Sequence, residues 1–295
     1  MYQFRAVFVV CVVLAVAAMS APAPACVGAR ALGMGGAFVA VADDTSATYW
    51  NPAALPYLPE KSATYMHVFN ENINYQNYFA YVQTLDDKSA VGLSYLTYQL
   101  IPAISMYDSS ISWGETWYWL SYGVEVAEGT ALGVNLKFIE DNLEVVESGV
   151  ELPISADTDM GLDVGVFSHV GDNVTLGLLI QNANEPDTQI NGVTAATWGR
   201  NWRPGAAVKL EDGVTLATEV YDAFNDMDAR GVRFGIEKKF AEERFALRAG
   251  RYAGGGISAL TLGAGIWGEQ GWTLDVAYLT GDLDNTWVAS GSFAW

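Results

Sequence analysis

Seven charged residues stand inside segments that otherwise alternate large apolar and small side chains: Lys137, Asp163, Glu219, Arg233, Glu237, Arg248 and Asp275. Each takes the parity opposite to its apolar neighbours, so in an extended chain it points away from them. Charges of both signs placed this way suit ion pairs that brace an interior better than a selective ion pathway, and they are the candidate lumen-lining residues. Catalytic chemistry has little to draw on. The chain has only His67 and His169 to serve as neutral-pH bases, and both read as structural. No His, Cys, Asp or Glu cluster has diagnostic metal-ligand spacing, and no phosphate-cradling loop precedes a helix, so neither an enzyme nor a cofactor or metal is expected. The acidic stretch Glu144, Glu147, Glu151, Asp157 and Asp159 could hold divalent cations shared with lipopolysaccharide, although such charges more often solvate a loop. Gly254-Gly255-Gly256 reads as a turn after Tyr252.

The elements that carry these charges have period two. Leu132, Val134, Leu136 and Phe138 interleave with Gly133, Asn135 and Lys137, and Met160, Leu162, Val164 and Val166 interleave with Gly161, Asp163 and Gly165. Val232, Phe234 and Ile236 alternate with Arg233, Gly235 and Glu237, while Trp272, Leu274, Val276 and Tyr278 alternate with Thr273, Asp275 and Ala277. Segments of about ten residues are long enough to cross a bilayer on a tilted strand. The pattern predicts fourteen strands, near 61–70, 77–85, 89–98, 115–126, 130–141, 159–170, 174–182, 203–210, 214–222, 230–239, 244–252, 257–267, 272–280 and 286–295. Every second connection is turn-like, for example Ala127-Glu128-Gly129, Gly171-Asp172-Asn173 and Glu211-Asp212-Gly213. Intervening connections are longer, notably 101–114, 142–158 and 183–202. Tight turns at one end and long loops at the other are the habit of outer-membrane barrels, and nothing in a soluble sandwich requires it. Tryptophans and tyrosines near the predicted strand ends (Trp113, Trp117, Tyr118, Trp119, Trp198, Trp202, Trp267, Trp272 and Trp287) are candidates for interfacial girdles.

The ends of the chain agree with that class. Residues 286–295 alternate up to the terminal Trp295, and a chain that stops in a strand on an aromatic looks like a substrate of the bacterial barrel-assembly machinery. Arg5, the apolar run Ala6–Ala18 and the small residues before Cys26 read as a signal peptide over 1–25, with an uncleaved anchor and a lipoprotein at Cys26 as lesser alternatives. Removing it loses Arg5 and no acid, which moves the formal charge from -19 to -20 and argues against nucleic acid as a partner. Of Cys11 and Cys26 only the second would remain, so the fold must hold without an internal disulfide.

Between leader and first strand, 26–60 is apolar, glycine-rich and too short to fold alone. Asp44 or Thr45 can cap a short helix ending near Trp50, and Asn51 before Pro52 has the chemistry of a second cap. Its natural shelter is the interior of the barrel formed by 61–295. The stretch Gly28-Ala29-Arg30-Ala31-Leu32-Gly33-Met34-Gly35-Gly36-Ala37-Phe38, the Asp43-Asp44 pair and Tyr49-Trp50-Asn51-Pro52-Ala53 resemble the FadL superfamily of outer-membrane proteins, most closely its PorV/PorQ-like branch. The resemblance implies a fourteen-stranded all-β barrel in the outer membrane, closed by an N-terminal hatch with Asn51, Pro52 and Ala53 as its gate. It also implies passive uptake of small hydrophobic molecules, fatty-acid or hydrocarbon-like, or alternatively a PorV-like scaffold for secreted proteins in type IX-like secretion. Outer-membrane lipid is the expected surrounding partner.

Overall fold

The computed structural model describes residues 26–70, 74–106, 109–147, 150–151, 158–190, 193–224, 230–242, 244–254, 257–280 and 285–295. The expected signal peptide, Gly255-Gly256 and the side chains of Glu147 and Asp157 lie outside them. The strands in chain order are β1 (Lys61–Asn70), β2 (Asn74–Asp86), β3 (Ser89–Met106), β4 (Ser109–Ala127), β5 (Thr130–Glu147), the two-residue β6 (Val150–Glu151), β7 (Thr158–Val170) and β8 (Val174–Gln181). There follow β9 (Asp187–Ile190), β10 (Val193–Thr197), β11 (Asn201–Leu210), β12 (Val214–Tyr221), β13 (Gly231–Phe240), β14 (Phe245–Gly254), β15 (Ile257–Trp267), β16 (Trp272–Leu279) and β17 (Thr286–Ala294). Leaving out β6 and the separate β9–β10 hairpin, fourteen antiparallel strands pair in sequence, and β1 pairs with β17 to close the cylinder.

Alternation sets the two faces. On β5, Leu132, Val134, Leu136 and Phe138 are 38–44% exposed on the outside, whereas Asn135, Lys137 and Ile139 are fully buried inside. A closed sheet leaves no edge strand, and its outer face is apolar, as a bilayer-spanning barrel requires. Aromatics collect at two levels of the outer face. Phe69, Tyr75 and Trp287 are neighbours at one end, and Trp272, Phe293 and Trp295 lie at the other, where the short turns are. These turns use left-handed backbone; Gly171, at φ +65°, is one case where the absent Cβ matters.

Three expectations need correction. The described residues of 101–114 and 142–158 are strand, because β3, β4 and β5 run well past the rest of the wall. Pro102, which cannot donate to a ladder, looks like a strand breaker. The pairing instead absorbs it in a register shift between Leu100 and Ile104 and then continues. Trp117 and Trp119 are not girdle residues: they face inward, 5% and 2% exposed. Within 183–202, β9 and β10 form a small hairpin, and Trp198 at its foot packs edge-on against Trp117 at 5.0 Å.

Candidate functional site

The lumen is occupied by the N-terminal segment. It begins with a short helix, Ala29–Gly33, passes through two turns to a second helix, Ala47–Trp50, and ends in the 3-10 helix Pro52–Tyr57 before β1. Trp50, Phe38, Met34 and Leu55 are fully buried and share one core with Met66, Tyr78, Leu96 and Ile139 of the wall. The helix Ala47–Trp50 has Ser46 at its cap position and no side-chain cap bond; Asp44 instead accepts from the Ser46 amide at 2.9 Å. Asn51 acts as the sequence suggests. Its Oδ1 accepts from the Ala53 amide at 3.2 Å, and Pro52 takes the first helical position. Its Nδ2 donates to the Val39 carbonyl at 3.0 Å within the plug and to the Val166 carbonyl of β7 at 2.9 Å. Asn51 thus bonds the plug both to itself and to the wall, and Pro52 and Ala53 continue from it as the start of the 3-10 helix.

What lets a main chain lie this close to a β-wall is a belt of inward glycines. A Cβ on Gly133 would fall 2.2 Å from the Ala53 nitrogen, and one on Gly250 would fall 2.2 Å from the Gly35 nitrogen. Gly165, Gly177 and Gly235 meet Asn51 Oδ1, the Val39 carbonyl and the Met34 carbonyl in the same way, at 2.3, 2.3 and 2.5 Å. The alternation marks Gly133, Gly165 and Gly235 only as the small parity of their strands and says nothing of Gly177 and Gly250; that five glycines fall on inward positions is the signal available in the sequence.

All seven charges picked from the sequence face the lumen, and they fall into three groups. Glu237 accepts from Arg30 Nε at 2.9 Å and from Arg248 Nε at 2.7 Å, and Arg248 Nη1 reaches Asp275 at 2.7 Å. Glu219 takes Arg203 Nε at 2.8 Å and Arg233 Nη1 at 3.2 Å, while its other oxygen accepts the amides of Phe38 and Val39, each at 3.2 Å. Arg233 also donates to the Gly36 carbonyl at 3.3 Å, and Arg203 lies 4.9 Å over the Trp50 ring. Lys137 pairs with Asp163 at 2.8 Å and bonds Asn182; Asn135 joins Asp163 to the Thr48 carbonyl of the plug. Arg30, Arg203 and Asn135 complete these groups and are not among the seven lumen candidates of the sequence. Arg30 is the one basic residue in 26–60, which is the clue to its role.

The plug's own charges respond to this setting. Burial disfavours the charge on Asp43, but the Arg30 guanidinium beside it outweighs that and holds its carboxyl below the ordinary value. Burial likewise opposes the charge on Arg30, and Asp43 and Glu237 more than offset it. Cys26 is buried, its Sγ 3.9 Å from Arg233 Nη2. His67 bonds Asn77 at 2.7 Å, and His169 packs against Tyr57 of the plug at 5.0 Å. Glu144 and Glu151 are exposed, Asp159 is half-buried, and among the described residues no three His, Cys, Asp or Glu gather to hold a metal.

No protein-family model and no curated protein matches the chain. Solved structures do. The CymD monoaromatic hydrocarbon channel aligns with a TM-score of 0.69 at 12% identity, covering 91% of this chain and 97% of that one. The Pseudomonas putida toluene transporter TodX aligns at 0.65 and 11% identity over 90% and 97% of the two chains. A Pseudomonas aeruginosa FadL homologue aligns at 0.61 and 12% identity over 90% and 98%. None of these three is described as a secretion protein. The protein therefore has the fold of FadL-type outer-membrane channels: a plugged fourteen-stranded barrel aligned over nearly its whole length.

Proposed function

We propose that the protein is an outer-membrane channel that lets small hydrophobic molecules move inward down their gradient, with no catalytic step. The observation that carries this reading is the plug seated in a barrel that aligns over 91% of its length with a monoaromatic hydrocarbon channel. Toluene and related monoaromatics, the solutes named for those neighbours, are the first substrates to test, with fatty acids second. In this reading Asn51, Pro52 and Ala53 form the gate that holds the lower mouth shut. The bonds from Asn51 to both plug and wall favour passage beside a seated plug over its expulsion. Uptake of labelled toluene by cells with and without the protein tests the proposal. Faster uptake with the protein is expected, together with leakage of small polar dyes through a Pro52→Gly variant; identical uptake with and without the protein rejects the proposal.

A further inference from the structure

Above the plug, the inner wall holds two carboxylates that no cation among the described residues neutralises. Glu115 on β4 and Asp141 on β5 are direct partners in the register, both inward-facing, 5% and 7% exposed. Side chains so placed have Cβ atoms about 5 Å apart. The plug's nearest aromatic contact on β4 is Tyr49 against Trp119, about 13 Å further down the strand. Glu115 Oε2 accepts from the Trp117 indole at 3.1 Å, but its Oε1 is buried with no hydrogen-bond partner, and so is Asp141 Oδ2. Thr188 of the β9–β10 hairpin and the Trp113 indole reach Asp141 as well, and Asp159 adds a further negative charge from β7. The lumen's cations are committed elsewhere: Lys137 to Asp163, Arg203 and Arg233 to Glu219, Arg248 to Glu237 and Asp275, and Arg30 to Glu237 and Asp43. Among the described residues neither Glu115 nor Asp141 has an ion-pair partner.

Two buried carboxylates with orphan oxygens are stable only when a positive charge or a proton lies between them. The tryptophans beside the pair distinguish an organic cation from a metal ion. Trp117 and Trp198 meet edge-on at 5.0 Å beside the pair, and Trp117 already draws the Lys137 ammonium to 5.5 Å above its ring. Indole faces attract organic cations and offer no ligand to a metal ion. We infer that Glu115 and Asp141 form a recognition site for the ammonium group of an apolar amine, whose hydrocarbon body lies along the tryptophans. This rests on the uptake reading and narrows its substrate class to hydrophobic amines. A formal charge of -19 on the chain favours their approach.

Binding to the full-length protein in detergent, followed by tryptophan fluorescence at pH 7, tests it with 2-phenylethylamine against ethylbenzene, its near neutral counterpart. The expected result is binding of the amine about tenfold tighter than the hydrocarbon, with the advantage reduced to about threefold or less in both Glu115→Gln and Asp141→Asn. Equal binding of amine and hydrocarbon overturns the inference, since it means that the pair shares a proton and recognises nothing. An amine preference unchanged in both variants overturns it too, because the preference then lies in exposed acids. The wild-type comparison stands even where a variant fails to fold. Toluene uptake without amine preference rejects this site alone, whereas loss of toluene uptake and of all binding rejects the channel reading with it.

Discussion

Glu237 holds two guanidiniums at once, Arg30 from the plug and Arg248 from the neighbouring strand, in a buried site. Such a residue is worth little as a net gain over an apolar core, but its removal leaves two buried guanidiniums a carboxylate short, Arg248 with Asp275 alone and Arg30 with Asp43 and Asp44. Glu237→Ala is expected to lower unfolding stability by about 3–5 kcal/mol, read from urea titration of tryptophan fluorescence in detergent. A loss below about 1 kcal/mol would mean that the arginines find other partners. Asp43 permits a pH test. Its folded carboxyl is held below the ordinary value of about 3.9, so the stability it lends is complete above that pH and disappears as pH falls through the lower folded value. Between pH 5 and pH 3 the wild type should lose more stability than Asp43→Asn; equal losses would show that Arg30 does not depend on Asp43. The parity of the charges was legible in sequence, because period two puts them on one face. Their partners were not, because Glu237 and Arg30 are brought together by closure of the cylinder and not by any local spacing.

At the scale of elements, the plug and the wall fit by main chain as much as by side chain. Gly133 and Gly165 lie on adjacent strands under Asn51 and Ala53, and a side chain at either would have to displace the plug backbone. Gly133→Val is expected to unseat the segment and cost about 3 kcal/mol. Gly199→Val, where nothing stands within 4 Å, serves as the control and should change stability little. Limited proteolysis distinguishes them: cleavage within 26–58 should appear in the first variant and not in the second. The turn between β13 and β14 is strained in a different way. Ala241 and Glu242 both have positive φ, 50° and 56°, a conformation that costs a non-glycine residue about 1–2 kcal/mol. Glu242→Gly should therefore raise the unfolding midpoint, and an unchanged or lower midpoint would refute the strain. The short turns and the Asn51-Pro52 cap could be read from sequence since each is a local signal. The overlong β3 to β5 could not, because Pro102 and Asp141-Asn142 are locally indistinguishable from loop residues and only the ladder with neighbouring strands carries the chain through them.

For the whole molecule, the charges around the plug divide unevenly between the two parts. Four cations of the wall, Arg203, Arg233, Arg248 and Lys137, face four carboxylates of the wall, Glu219, Glu237, Asp275 and Asp163. The wall is neutral at this level without help. The plug brings Arg30 together with its own Asp43 and Asp44, so it too is nearly self-compensating. By count neither part lacks counter-charges, so Glu237 with Arg30 and Lys209 with Asp43 fix how the two parts meet, and the closer match is one of shape, through the glycine belt and the apolar core of Trp50, Phe38 and Leu55. The barrel pattern was legible for the same reason: strand alternation answers to lipid outside, and the interior only has to be small or paired. It follows that a chain lacking 26–58 should still close its cylinder, keep its wall ion pairs and insert into bilayers. Its lumen would then be a wet passage lined by those eight charges. In planar bilayers this deletion variant is expected to conduct ions and pass small polar dyes, while the full chain conducts little. A deletion variant that inserts and stays tight would show that the wall alone seals the lumen, and one that never folds would show that the plug is the template on which the cylinder closes.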